Sequence, residues 1–302
     1  MTETQRALYL YGVCTQAEVI GFLRTQCVLQ DEKELEQILS DWRLATKAFG
    51  TSVGSPADSP DTAIAEEVRH SWDPNLKALE SDALFRQSFS LLPYSVQLVE
   101  LDKIVAGQRY VNLDYVESLA KTVPEKPSPG FLVKFCLLRK SSAPAPAELA
   151  LGQNVYSYKA QSTDFRFLGG YPKPLTSEDL AASTGGGEPV AAVVLLVGYG
   201  SPQVNLFHVG KRYILNNGFH RLFALRSKGV LRAPAVVQEV SNPDLELPPM
   251  IAGLPTQYQV RAPRPSLLKD FLNPTFTREV RLRARDKSVQ IQWNVNQVDI
   301  PR

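Results

Sequence analysis

The chain has 302 residues, 44% hydrophobic and 21% charged, with 33 Lys+Arg against 31 Asp+Glu and a net charge of +2. That is ordinary for a globular protein and gives no global electrostatic case for nucleic acid or for an acidic ligand, so such a partner needs a local patch. Three scattered cysteines, Cys14, Cys27 and Cys136, exclude a disulfide framework, and with only three histidines no metal cluster can be assembled.

In chain order, the first ninety residues read as a helical region. Thr15-Gln16-Ala17-Glu18 has the form of a capping box, followed by Val19, Phe22 and Leu23 at helical spacing. A second helix is expected after Asp31, with Leu35, Ile38, Leu39, Trp42 and Ala45 on one face, ending near Gly50. Thr51 to Asp61 is rich in Ser, Pro, Gly and Asp and marks a loop. More helix is expected from Thr62 to Phe89, broken near Asp73-Pro74.

From Leu91 the pattern alternates between β and α. Val96 to Val105 reads as a strand, Gly107-Gln108-Arg109 as a turn, and Asn112-Leu113-Asp114 as the start of a helix carrying Val116, Leu119 and Ala120. Phe131 to Leu138 and Val190 to Tyr199 are continuous apolar runs, expected to be buried central strands. Residues 139–189 between them are too many for a structureless loop and are taken as an insertion, whose aromatic middle can add strands. Its Tyr156, Tyr158, Phe165 and Phe167 suit either base stacking or packing of an added sheet.

Asn205 to Val209 and Arg212 to Leu215 flank Gly210-Lys211, a two-residue hairpin signal. Asn216-Asn217-Gly218 then turns the chain into a helix ending near Ser227, and Ala235-Val236-Val237 is the closing strand. The tail is proline-rich to Pro265. A second hairpin is expected from Glu279 to Arg285 and Val289 to Val295, joined at Asp286-Lys287-Ser288, and no helix-turn-helix pattern is present.

Gly218-Phe219-His220-Arg221-Leu222-Phe223-Ala224-Leu225, then Gly229 and Pro234-Ala235-Val236-Val237, resembles the ParB/sulfiredoxin superfamily. Val99 to Ile104 looks like that family's first strand, Arg109 stands where it often has an arginine, and Leu113 to Val123 resembles its first helix. The resemblance implies an α/β (α+β) small mixed-sheet domain over residues 91–245, after a helical region 1–90 and before a proline-rich segment and β-hairpin at 246–302. It also implies a nucleotide site for ATP or CTP with Mg²⁺, formed by Asn217, Gly218, Phe219, His220 and Arg221 with Arg109 as a further cation, and a weak NTPase or phosphotransferase activity. A glycine at a helix start lets backbone N–H groups approach an anion, and an arginine can fork onto phosphate oxygens.

The departures are specific. Phe219 stands where sulfiredoxins have their catalytic cysteine, which argues against sulfinic-acid reduction, and the turn does not carry over CTP specificity. Related serine kinases use an acidic base, for which Glu100, Asp102 and Asp114 are candidates by location alone. Arg281, Arg283 and Arg285 alternate, so a strand would set them on one face. They carry the alternative reading, a non-catalytic DNA- or protein-interaction module of a plasmid, mobile element or defence system. No apolar run reaches the roughly 20 residues that span a bilayer and Met1 to Arg6 lacks a signal-peptide pattern, so the expected compartment is the cytoplasm.

Overall fold

A computed structural model describes residues 4–68, 70–138, 145–152, 154–161, 164–182 and 187–300. In chain order they form β1 (Thr4–Tyr9), α1 (Gln16–Gln26), α2 (Glu32–Thr51), β2 (Ala65–Glu67), α3 (Asn75–Ser81), α4 (Ala83–Ser88), β3 (Tyr94–Glu100), β4 (Val105–Ala106), β5 (Tyr110–Asn112), α5 (Leu113–Ala120) and α6 (Pro129–Cys136). There follow β6 (Ala147–Gly152), β7 (Val155–Ala160), β8 (Phe165–Lys173), α7 (Ser177–Ala182), β9 (Ala192–Tyr199), β10 (Asn205–Val209), β11 (Arg212–Asn217), α8 (Phe219–Ser227) and β12 (Arg232–Val240). The last elements are α9 (Pro243–Glu246), β13 (Met250–Ile251), β14 (Leu254–Pro255), α10 (Thr256–Arg261), β15 (Arg278–Arg283) and β16 (Lys287–Gln292). The class is mixed α and β. The chain divides into two compact units, Met1–Lys140 with Pro202–Ala284, and Ser141–Ser201 with Arg285–Arg302.

The first unit is built on a six-stranded sheet in the order β2-β3-β12-β10-β11-β4. It is mixed: β10 runs antiparallel to β11 but parallel to β12, and β11 runs parallel to β4. One face buries Leu206, Leu215, Val237 and Val99 with Val116, Leu119, Val133 and Leu222 of α5, α6 and α8. The other face, with Phe207, Val209, Ile214 and Val105, is closed by Leu247, Ile251 and Leu267 of the proline-rich segment. Covering on both faces explains why β10 and β11 are buried almost throughout, the apolar Leu206, Phe207, Ile214 and Leu215 at their centre. A second sheet, β15-β1-β5, packs Ala7, Tyr9, Val280 and Leu282 on Val19, Leu23, Leu35 and Ile38 of α1 and α2.

Local signals worked where the contact that decides the element is itself local. Thr15 and Glu18 form the capping box of α1, and Asp31 caps α2. Asp73 accepts from the Asn75 amide at 2.8 Å where the helical stretch was expected to break. The β10–β11 hairpin turns at Gly210, whose φ is 62°.

Four expectations are corrected. The region 1–90 is not wholly helical, since β1 and β2 join sheets by long-range pairing with β15 and β3. Phe131 to Leu138 is not a central strand. Ser128 accepts from the Phe131 amide as N-cap, Pro129 occupies the first turn, and an eight-residue apolar run suits a buried helix as well as a buried strand. Val190 to Tyr199 does yield β9, but in a two-stranded sheet with β8 that leaves Val193 exposed. Finally, β15 and β16 do not form a hairpin, because β15 pairs with β1 and β16 pairs with β7.

The second unit holds two small sheets, β16-β7-β6 and β8-β9. Tyr156 stacks on Trp293 at 5.5 Å, and Phe165 is fully buried against Tyr199. Those two aromatic rings are packing elements. Residues 139–144 and 183–186, toward the two ends of the expected insertion, lie outside the described residues.

Candidate site at the start of two helices

The turn before α8 is made by a glycine that cannot be replaced without strain. Gly218 has φ 98°, and a Cβ there would come within 2.6 Å of Val204 Cγ2. Asn217 Oδ1 accepts the Gly218 amide at 2.8 Å, and the Gly218 carbonyl receives the amides of Arg221 and Leu222, starting the helix. Phe219 is buried, with its ring edge-on to Phe271 at 4.9 Å.

Arg221 does not face solvent. Its side chain is buried, and Nη1 donates to the carbonyl of Cys136 at 2.8 Å, at the C-terminal end of α6. A guanidinium there satisfies a helix-end carbonyl and meets the negative end of the helix dipole. Arg109 is likewise committed, with Nη2 2.6 Å from Glu18 Oε1 and Nη1 3.1 Å from Cys14 Sγ. The guanidinium in turn holds the Glu18 carboxyl down at about 2. Both predicted phosphate-binding arginines therefore serve as internal ties.

His220 sits between two helix starts. Its Nε2 accepts the main-chain amide of Asn112 at 3.3 Å, and its ring lies edge-on to Tyr115, with centroids 5.3 Å apart. Asn112 is the N-cap of α5 and accepts the Tyr115 amide at 2.9 Å. The N-termini of α5 and α8 thus meet at one imidazole. Because Nε2 is an acceptor, the neutral ring carries its proton on Nδ1. Burial, followed by the nearby Arg221 charge, pushes the histidine down to about 4. Tyr115 remains 41% exposed beside it, which leaves an aromatic face open to a ligand. Gly218 and His220 carry a signal in the sequence, whereas Asn112 and Tyr115 look there only like parts of a helix; what brings them together is packing between residues 108 positions apart.

Of the acidic candidates, Asp114 stands at this junction, in the first turn of α5. Asp102 forms a two-pronged ion pair with Arg226, at 2.6 and 3.1 Å. Asp114 accepts both the amide and Nε of Arg6, which lowers its pKa, the main-chain bond contributing most. Glu100 ends β3 opposite Arg232. The arginine row is shorter than expected: Arg281 and Arg283 share the exposed face of β15, whereas Arg285 lies past its end. Arg6, in register with Arg281, is flanked by Asp114, Glu117 and Glu279, so this face carries no net excess of positive charge.

The first unit also contains a cavity of about 290 Å³, lined by Ser55, Asp58, Ser59, Thr62 and Arg264 among others. Arg264 is locked into a buried pair with Asp270 at 2.6 Å, and Asp58 is held by Lys269 at 2.7 Å. Its charges are thus balanced internally.

No helix among the described residues is long and apolar enough to cross a membrane. No family model, curated protein or solved structure matches this chain.

Proposed function

We propose that this chain is a nucleotide-binding protein of the ParB/sulfiredoxin-like type. On this reading the phosphate group is held by main-chain N–H groups at the starts of α5 and α8 and by His220, not by arginine. The single observation that carries it is the Asn112–His220 contact, which joins two helix N-termini at one point. The positive end of each helix dipole makes such a place favourable for an anion, which would compete with His220 for the Asn112 amide. What further supports the reading is the order of elements, a hairpin, a left-handed glycine, a helix and a closing strand.

Magnitudes set the strength and the chemistry. A helix terminus contributes about 0.3–1 kcal/mol to a surface anion, rising to about 2 in partly buried geometry. Two of them, without a free guanidinium, suit an affinity nearer millimolar than nanomolar, since millimolar binding is about 4 kcal/mol. Drawing Arg221 out to the ligand would cost its bond to Cys136, about 1.5–3 kcal/mol for a charged donor. The donors fit one phosphate group. They do not fit a magnesium triphosphate with protein ligands to the metal, because both oxygens of Asp114 are held by Arg6.

Isothermal titration with ATP, CTP, GTP and ADP, with and without Mg²⁺, tests this. Weak binding insensitive to Mg²⁺, lost in His220→Ala and reduced in Tyr115→Ala, is expected. No heat from any nucleotide at millimolar concentration would sink the proposal.

The interaction-module reading has its own support in the second unit, where an apolar ribbon is exposed. Its nucleic-acid form is the weaker one, given the carboxylates around Arg6. A gel shift at two salt concentrations separates the forms, because phosphate contacts weaken steeply with salt.

A further inference from the structure

The β8–β9 ribbon is unusual for a protein surface. β9 has eight residues, Ala-Val-Val-Leu-Leu-Val-Gly-Tyr, and no charge among them. Alternate residues point to opposite faces. On one face Val193, Leu195 and Phe167 are 73%, 41% and 51% exposed; on the other Leu196, Tyr171 and Leu168 are 42%, 49% and 50% exposed. The sheet has only these two strands, so among the described residues no strand pairs with the outer edge of β9. A two-stranded sheet is marginally stable alone, and an open apolar edge is a template for another strand.

We propose that β9 is a dimerisation strand that pairs antiparallel, across a two-fold axis, with β9 of a second copy of this chain. The product is a four-stranded sheet in the order β8-β9-β9-β8. The occupant is identified by charge. The two basic residues of the ribbon are matched within it or beside it, Arg166 by Asp164 and Lys173 by Asp179 at 2.8 Å. The ribbon therefore offers nothing to select a charged strand, and covering it with one would desolvate charge without a partner. An uncharged, extended, apolar strand fits, and a second β9 is such a strand. A two-fold axis at Leu195 sets Val193 opposite Val197 and Val194 opposite Leu196, apolar against apolar on both faces with no like charges opposed.

This deepens the interaction reading and does not involve the junction of α5 and α8. Light scattering on the full chain over a hundredfold concentration range tests it. The expected mass is twice that of one chain for the wild type, falling twofold in Leu195→Lys and in Val193→Lys. Val193 is largely exposed, so its lysine variant keeps the fold, as an unchanged circular dichroism spectrum would show. Nucleotide titration of the same variants, expected to match the wild type, reads the other site separately. A wild type that stays monomeric at every concentration overturns the proposal, and so does a dimer that survives both lysines.

Discussion

Two apolar stretches of similar composition meet opposite fates in this protein. Ala233 to Val237 of β12 lies between β3 and β10 and is wholly buried, whereas Val193 to Leu196 of β9 has one neighbour strand and stays partly open. The reverse holds for charge. Arg221, expected at the surface as a phosphate ligand, is inside on a helix-end carbonyl, while Arg281 is outside. Hydrophobicity sets what a residue gains by burial. The number of elements stacked around it sets whether that gain is collected.

The comparison can be sharpened by substitution. Leu222→Ala, fully buried in α8, should cost about 2–5 kcal/mol through lost transfer energy and the cavity left behind, read by urea unfolding. Should it cost less than the ribbon variant below, the assignment of the core is wrong.

A second effect comes from pH. The folded-state pKa of His220 is depressed to about 4 from about 6.5. The unfolded chain therefore binds a proton between those values that the folded chain refuses, and stability must fall as pH drops through that window. The full shift corresponds to at most about 3 kcal/mol. Unfolding free energies measured from pH 7 to pH 4 should show this acid loss in the wild type, and a flatter limb in His220→Gln. Identical limbs would mean that the imidazole is solvated rather than locked onto Asn112.

Smaller is Arg221→Met, which removes a charged hydrogen-bond donor but keeps an apolar side chain in place. Cys136 O retains the Val204 amide at 2.9 Å, so the expected cost is about 2 kcal/mol. Nucleotide affinity should be unchanged, because the guanidinium does not reach the site; a tenfold loss of affinity would restore Arg221 as a ligand. The smallest effect belongs to the ribbon, where Val193→Ala should change the stability of the monomer by no more than about 0.5 kcal/mol.

Legibility followed the range of the deciding contact. Thr15 with Glu18, Asp31 before α2, Gly210 in its hairpin and Gly218 before α8 are each decided within a few residues, and each could be read directly. Half of the candidate site was visible in the same way, as Gly218 and His220. Asn112 and Tyr115 were not, because nothing near them in sequence announces that α5 will start against an imidazole. The roles of Arg109 and Arg221 are illegible in the sequence for the same reason: a guanidinium carries no local mark of whether carboxylate, carbonyl or ligand will meet it.

By itself, then, the sequence determined the mixed α and β class, the capped helices α1, α2 and α5, the β10–β11 hairpin and the glycine turn into α8. These rest on backbone geometry and short-range hydrogen bonds that any environment would keep. The run Phe131 to Cys136 carries a local helix start, Ser128 and Pro129, beneath an apolar pattern that suits either element, whereas tertiary structure alone decided that β15 and β16 part to separate sheets and that Arg221 turns inward. A strand edge accepts whichever partner the fold delivers, and a guanidinium whichever acceptor, so those choices belong to packing between distant segments.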